Sequence, residues 1–389
     1  MPRKLFLCLS AAAVSLMPLA ACSYRETGEK NAATAAQPAA QPDAMASNDD
    51  PNAQLPAEDK SRPLMQAQVV LDRLGFTPGV IDGKMGMSTV NALKGFQESR
   101  GLPVSGELDQ ATQQALAEWK HIPATRVVTI PAEFASEQFV QIPEDRKEQA
   151  KLERMGYGSL GEKIAERFHT TEEVLAELNV QPAAAGAAAG SPQANESDAE
   201  GSPTTGKPTL AFQAGMQLRV PNIGADKFDP SAVKDRKWAD TLRLLGVGTA
   251  QPQAARIEVD KSDEVLRVLD GQGKLLAQFT ATMGSSQFPL PIGTWTIRGV
   301  SYNPPWQYDP SLLATADKSD PKLEIPPGPN NPIGVVWIDL SKEHYGIHGT
   351  DHPDRIGRAE SNGCIRLTNW DAARLAQMVK PGIQAVFKA

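Results

Sequence analysis

Two residues late in the chain have the types needed for thiol chemistry. Cys364 lies in Ser361-Asn362-Gly363-Cys364-Ile365-Arg366-Leu367. His348 lies sixteen residues upstream, in Tyr345-Gly346-Ile347-His348-Gly349-Thr350. A thiolate is a nucleophile, and an imidazole can take the thiol proton and return it to a leaving amine. The imidazole needs an orienting partner on its other nitrogen. No acid stands out in the local sequence, so a backbone carbonyl could serve. Backbone N–H groups at Gly363 and Cys364 could hold an oxyanion. Arg366 has the forked cation that suits a carboxylate, and the Ser361 and Thr350 hydroxyls could fix the two loops. Residue types alone leave a second reading open, a buried structural cysteine beside a loop histidine.

Of three cysteines, only Cys364 lies beyond residue 22. Arg3 and Lys4 precede an apolar run from Leu5 to Met17, which predicts an export signal over 1–21. Leu19-Ala20-Ala21-Cys22 resembles a bacterial lipobox, which implies lipidation of Cys22 and a membrane anchor on an exported, periplasm-facing protein. Cys8 would leave with the signal and Cys22 would be blocked, so Cys364 has no partner thiol. Residues 22–60 are rich in Ala, Gln, Pro, Asn and Asp and read as a disordered tether. The net charge of −7, without a basic block, argues against a nucleic-acid partner.

The elements that must position the thiol lie downstream of several smaller units. Ala67, Val70, Leu71 and Leu74 recur at helical spacing. A second helix is expected from a Ser88 cap through Phe96, and a third from an Asp109 cap through Trp119. Residues 121–155 read as a connector, with a short strand at Arg126–Ile130 and a charged helix over Glu144–Arg154. Two helices, Leu160–Phe168 and a Thr171-capped one through Asn179, precede a strand at Met216–Pro221. Residues 181–208 between them are Ala/Gly/Ser/Pro-rich and read as disordered. Residues 223–253 read as a second connector with a short helix near Asp240–Leu245.

From residue 254 the apolar period changes to two. Arg256–Val259 and Val265–Leu269 predict a hairpin, followed by strands at Leu275–Met283, Trp295–Ile297, Gly334–Ile338 and Gln384–Phe387. One helix, capped by Thr368, follows the cysteine. The pattern predicts a mainly-β, sandwich-like domain.

Three resemblances add to this reading. LGFTPGVIDG, ALKGFQ and GLPVSGELDQATQQAL make residues 61–120 similar to the small three-helix peptidoglycan-binding domain. Residues 156–222 resemble a LysM module, an α+β unit split by 181–208, which leaves glycan binding open. MGSSQFPLPIGTWTI, NPIGVVWIDL, HYGIHGT and IGRAESNGCIRLTNWDA closely resemble the L,D-transpeptidase catalytic domain, also called YkuD, over residues 254–389. That resemblance implies a multidomain enzyme with Cys364 as nucleophile and His348 as base, oriented through the Gly349 carbonyl. Ser361, Gly363 and Arg366 then belong to the motif loop. Many members carry histidine where Asn362 stands; an amide cannot relay a proton, so Asn362 would position or stabilise the loop and oxyanion.

The Pro-rich stretch 302–333 carries Trp306 and Tyr308, expected to line the substrate cleft. His344, His348 and His352 have a spacing that would need a helix to form a metal site, and the glycines argue against one, so no metal or cofactor is expected. The family resemblance implies peptidoglycan as partner. A stem tetrapeptide would donate an acyl group to an amine, giving a 3→3 cross-link or attaching a wall protein. Two alternatives stand beside it: an inactive peptidoglycan-binding envelope protein, and an L,D-carboxypeptidase.

Overall fold

Proline at the first turn starts the first helix, where a missing N–H costs nothing. That helix, α1 (Pro63–Arg73), buries Ala67, Val70 and Leu71. The computed structural model describes residues 61–179, 210–224, 228–313, 316–358, 361 and 363–389, all in one compact unit. The signal, Cys22, the tether, the 181–208 interruption and Asn362 lie outside the described residues. A short strand β1 (Phe76–Thr77) follows, then α2 (Met87–Ser99) and α3 (Gln110–Leu116). Asp109 caps α3, accepting from the Thr112 N–H at 2.8 Å. Ser88 does not cap α2, which begins one residue earlier, after an extended Gly86 with no side-chain cap. Phe76, Leu93 and Phe96 centre the module's core, and Leu275 from the later β domain closes it.

The second module starts earlier than the sequence indicates. β2 (Thr125–Thr129) pairs antiparallel with β3 (Gln217–Pro221), so the strand expected in a connector closes the module's own sheet. Between them lie α4 (Ala132–Ala135), α5 (Arg146–Gln149), α6 (Leu160–Arg167) and α7 (Glu172–Asn179). The helix expected over Glu144–Arg154 shrinks to the one turn of α5. Ser159 caps α6 and Thr171 caps α7. Met65, Val69 and Ile81 of the first module share a core with Ile164, Phe168 and Leu218 of the second. The two modules are therefore packed together and are not separate beads.

The third domain begins with α8 (Arg236–Leu244), whose Trp238 and Leu242 enter the main core, so this connector is part of the domain. The strands are β4 (Arg256–Asp260), β5 (Val265–Leu269), β6 (Leu275–Thr280), β7 (Thr282–Met283) and β8 (Gly293–Tyr302). Then come β9 (Trp306–Tyr308), β10 (Leu323–Ile325), β11 (Val336–Leu340), β12 (Gly346–His348) and β13 (Ile365–Arg366). Helix α9 (Asn369–Met378) and β14 (Gln384–Lys388) end the chain. The large sheet runs β1-β6-β5-β4-β14-β8-β11-β12-β13-β7. β8 is long enough to serve both halves, pairing β14 through Gly293–Thr296 and β11 through Ile297–Tyr302. Ile257, Leu266 and Phe279 from one half meet Val336, Ile338 and Ile347 from the other in a single core. Two halves of one sheet folded over a shared core make the arrangement sandwich-like. At the outer edge β1 pairs parallel with β6, Phe76 opposite Gln278, so the first module extends the sheet.

Candidate active site

Parallel pairing of β12 with β13 builds the site. Ile347 lies opposite Ile365, and His348 opposite Arg366. Side chains alternate along a strand and paired residues share a face. Ile347 and Ile365 therefore point into the core, where both are fully buried. His348 and Arg366 share the other face, and Cys364 lies in the bend just before β13, within reach of the Arg366 charge. The eighteen residues between His348 and Arg366 thus become one step between neighbouring strands.

His348 is buried, and its Nδ1 lies 2.7 Å from the Gly349 carbonyl oxygen. A carbonyl can only accept, so Nδ1 carries the proton and Nε2 keeps its lone pair. Trp337, opposite on β11, stacks on the imidazole with centroids 5.5 Å apart and planes 18° from parallel. Burial, with the Arg366 cation nearby, pushes the imidazole down to about 3, against the pull of the Gly349 bond. His348 is therefore neutral at physiological pH.

Cys364 is a free, half-buried thiol. Its Sγ lies 3.8 Å from the His344 carbonyl oxygen. Burial pushes the thiol above its ordinary value, while the Gly346 N–H and the Arg366 charge pull it down. At rest the thiol and the imidazole are both uncharged.

Ser361 holds the loop before the cysteine. Its Oγ donates to the Cys364 carbonyl at 2.6 Å and accepts from the Gly284 N–H at 2.6 Å. The same oxygen accepts from the Gly363 N–H at 3.3 Å, so that N–H, expected at the oxyanion, has a competing acceptor. Gly363 sits at φ +101°, where a Cβ would come within 2.7 Å of the Tyr345 ring. Only glycine fits this turn. Arg366 is half-buried, and its Nε has no hydrogen-bond partner; Asp351 supplies nearby negative charge. Thr350 Oγ1 donates to Asp351 and accepts from the His352 N–H at 3.2 Å, bracing the loop after His348.

Tyr308 is placed differently from expectation. Tyr308 is buried in a satellite core with Met155 and Ile325. Trp306 meets Tyr308 edge-on and carries the Arg146 guanidinium 5.2 Å above its ring. Both rings pack the Pro-rich excursion onto residues 142–155, and Tyr308 has no face left for substrate. His344, His348 and His352 fall on a turn, a strand and the start of a 3-10 turn, so their spacing shares no helix face. Among the described residues no cluster of three His, Cys, Asp or Glu could hold a metal.

A protein of Fuscovulum blasticum, named as an L,D-transpeptidase, is 32% identical over 183 residues, which cover 44% of this chain and 89% of the relative. The chain belongs to the L,D-transpeptidase family. The family model for the L,D-transpeptidase catalytic domain (YkuD) matches residues 254–387, and one for a peptidoglycan binding domain matches residues 61–116. Within this transpeptidase family, the YkuD L,D-transpeptidase of Bacillus licheniformis is 54% identical over 56 residues. That match takes in 14% of this chain and spans about a third (34%) of that relative. A solved L,D-transpeptidase from Mycobacterium smegmatis is 24% identical, covers 34% of this chain and 58% of its own, and has a TM-score of 0.28. The sequence carries the family assignment.

The roles of some residues around the site are not readable from the motifs themselves. Trp337, Gly284, Asn369 and Glu166 all bear on the two strands or their loops. Asn369 directly follows the Thr368 cap, a position the helix signal already marks. Glu166 carries no local signal, since a glutamate on a charged helix reads as solvated.

Proposed function

We propose that this L,D-transpeptidase acts on peptidoglycan through a Cys364 thioester. The observation that supports it best is the β12–β13 register, which sets His348 opposite Arg366, two residues after Cys364, with His348 Nδ1 committed to Gly349 O. The donor is a stem tetrapeptide. The Cys364 sulfur attacks the carbonyl of its third residue while the thiol proton passes to His348 Nε2. Because thiol and imidazole are both neutral at rest, proton transfer accompanies attack instead of preceding it. The tetrahedral intermediate collapses, the carbon–nitrogen bond breaks, and His348 returns the proton to the departing D-alanine amine. An acceptor amine then attacks the thioester and gives its proton to His348. The carbon–sulfur bond breaks as the new amide forms, and the thiol regains its proton. Arg366 stabilises negative charge developing on sulfur, and its forked guanidinium suits a stem carboxylate.

A stem diaminopimelate side chain as acceptor gives a 3→3 cross-link, and a wall-protein lysine gives protein attachment. The peptidoglycan-binding module concentrates an immobile polymer near the thiol. Cys22 carries a lipid that holds the exported protein at the periplasmic face of a membrane.

Incubation with purified disaccharide tetrapeptide and mass spectrometry of the products tests the reaction. A dimer lacking one D-alanine is expected. Tripeptide alone would mean carboxypeptidase, and no product with wild-type or Cys364→Ala protein would leave a binding protein. Palmitate labelling that disappears in Cys22→Ala checks the anchor, and persistent labelling would refute it.

A further inference from the structure

Asn369 stands behind the catalytic face. It opens α9 and is fully buried. Its Oδ1 accepts from the Val335 N–H at 3.2 Å and lies against Gly334 and Gly349, leaving no room for a Cβ on either glycine. Its Nδ2 donates to the Pro329 carbonyl at 3.2 Å and to Glu166 Oε1 at 2.7 Å. Glu166 comes from α6 of the second module, 203 residues earlier, and is itself buried. The Tyr157 hydroxyl also donates to the Glu166 carboxylate.

We infer that Glu166 and Asn369 are positioning residues for His348. The second module holds the Asn369 carboxamide through Glu166, the carboxamide restrains the Gly349 peptide, and the Gly349 carbonyl sets the imidazole. The inference rests on the reading of His348 as the base. A glycine peptide has wide conformational freedom, so something outside it must fix the carbonyl that orients the ring. The 3.3 Å bond from the Gly349 N–H to the Val336 carbonyl is long for that task. Asparagine suits the place because it presents an acceptor to Val335 and a donor to Glu166. An aspartate would set one carboxylate against another. A displacement of about 1 Å at a reacting group can cost about 100-fold in rate. The helical module is then part of the catalytic apparatus, since it fixes the base.

The test uses the full chain with Glu166→Leu, Glu166→Gln and Asn369→Ala. Two readouts are taken: kcat and KM on disaccharide tetrapeptide, and solvent exchange of the His348 Nδ1 proton by NMR of 15N-histidine protein. Glu166→Leu and Asn369→Ala are expected to lower kcat by about tenfold or more with KM within about twofold, and to speed Nδ1–H exchange by about tenfold. Glu166→Gln keeps an acceptor for Asn369 and is expected to restore both readouts to near wild type. Wild-type exchange and kcat in Glu166→Leu would overturn the inference, as would Glu166→Gln falling as far as Glu166→Leu. If Glu166→Leu does not fold, Asn369→Ala decides by the same two readouts. If the wild type turns over no tetrapeptide, the transpeptidase reading fails, and the exchange comparison still decides the positioning role.

Discussion

Arg374, on the helix that follows the cysteine, grips Asp72 on the first helix of the described chain. Nη1 donates to Oδ1 at 3.1 Å and Nη2 to Oδ2 at 3.0 Å, and both residues are buried. His169 of the second module lies 3.2 Å from Asp72 Oδ1 and stacks on Trp370 of α9 with centroids 4.8 Å apart. Three modules therefore meet at the back of one helix, whose other flank carries Asn369. Thr77 adds a further link, donating to Asp371 at 2.9 Å.

Breaking that grip from one side leaves a buried carboxylate without its guanidinium. Arg374→Met is expected to cost about 3–5 kcal/mol in urea unfolding. Replacing both members, Asp72→Leu with Arg374→Met, is expected to recover part of the loss, because apolar pairs often replace buried ion pairs at little cost while His169 loses its Asp72 partner. A double variant as unstable as the single one would contradict this account.

Glu166 predicts a pH-dependent gain. Burial raises it from 4.5 to about 7, against the hydrogen bonds from Tyr157 and Asn369. The unfolded chain loses this proton first, so the stability carried by the protonated form is complete below 4.5 and is lost as pH rises through 7. Glu166→Gln is expected to match wild type near pH 4 and to exceed it by about 3 kcal/mol near pH 8. Urea midpoints at the two pH values check it, and an equal difference at both would count against it.

The thiol is expected to react as a buried thiol beside a neutral imidazole. Iodoacetamide alkylation, read at the Cys364 peptide, should rise only toward alkaline pH. It should show no step near 6.5, because His348 sits at about 3 and burial raises the thiol. A plateau spanning neutral pH would instead reveal a thiolate–imidazolium pair.

Ser361→Ala removes the partner of the Gly284 N–H, the Gly363 N–H and the Cys364 carbonyl at once. Leaving buried polar groups unpaired costs about 1–3 kcal/mol. Thermal unfolding should show that loss. Acylation of Cys364, followed by mass spectrometry, should slow about tenfold or more as the loop loosens. Unchanged acylation would mean that Ser361 does not place the sulfur.

Much of the strand pattern was legible because its causes are local. The period-two runs became β4, β5 and β11, and the Thr368 cap holds α9 through the Asp371 N–H at 3.1 Å. Ser88 lies inside α2 instead of capping it, because a cap needs non-helical angles at the cap residue itself, and the extended residue here is Gly86. Tyr308 is buried in a satellite core instead of a cleft, because an aromatic in a loop looks the same whether it meets substrate or a neighbouring connector.

The sequence by itself determined the chemistry available: one distal thiol, one nearby imidazole between glycines, and a motif that places the chain among the L,D-transpeptidases. Tertiary structure alone decided how these groups stand. Strand register put His348 beside Arg366, and burial lowered the imidazole and raised the thiol. Packing of α6 against α9 brought Glu166 to Asn369 across 203 residues. Residue type is local information, whereas register, burial and long-range hydrogen bonds depend on which surfaces the whole chain brings together.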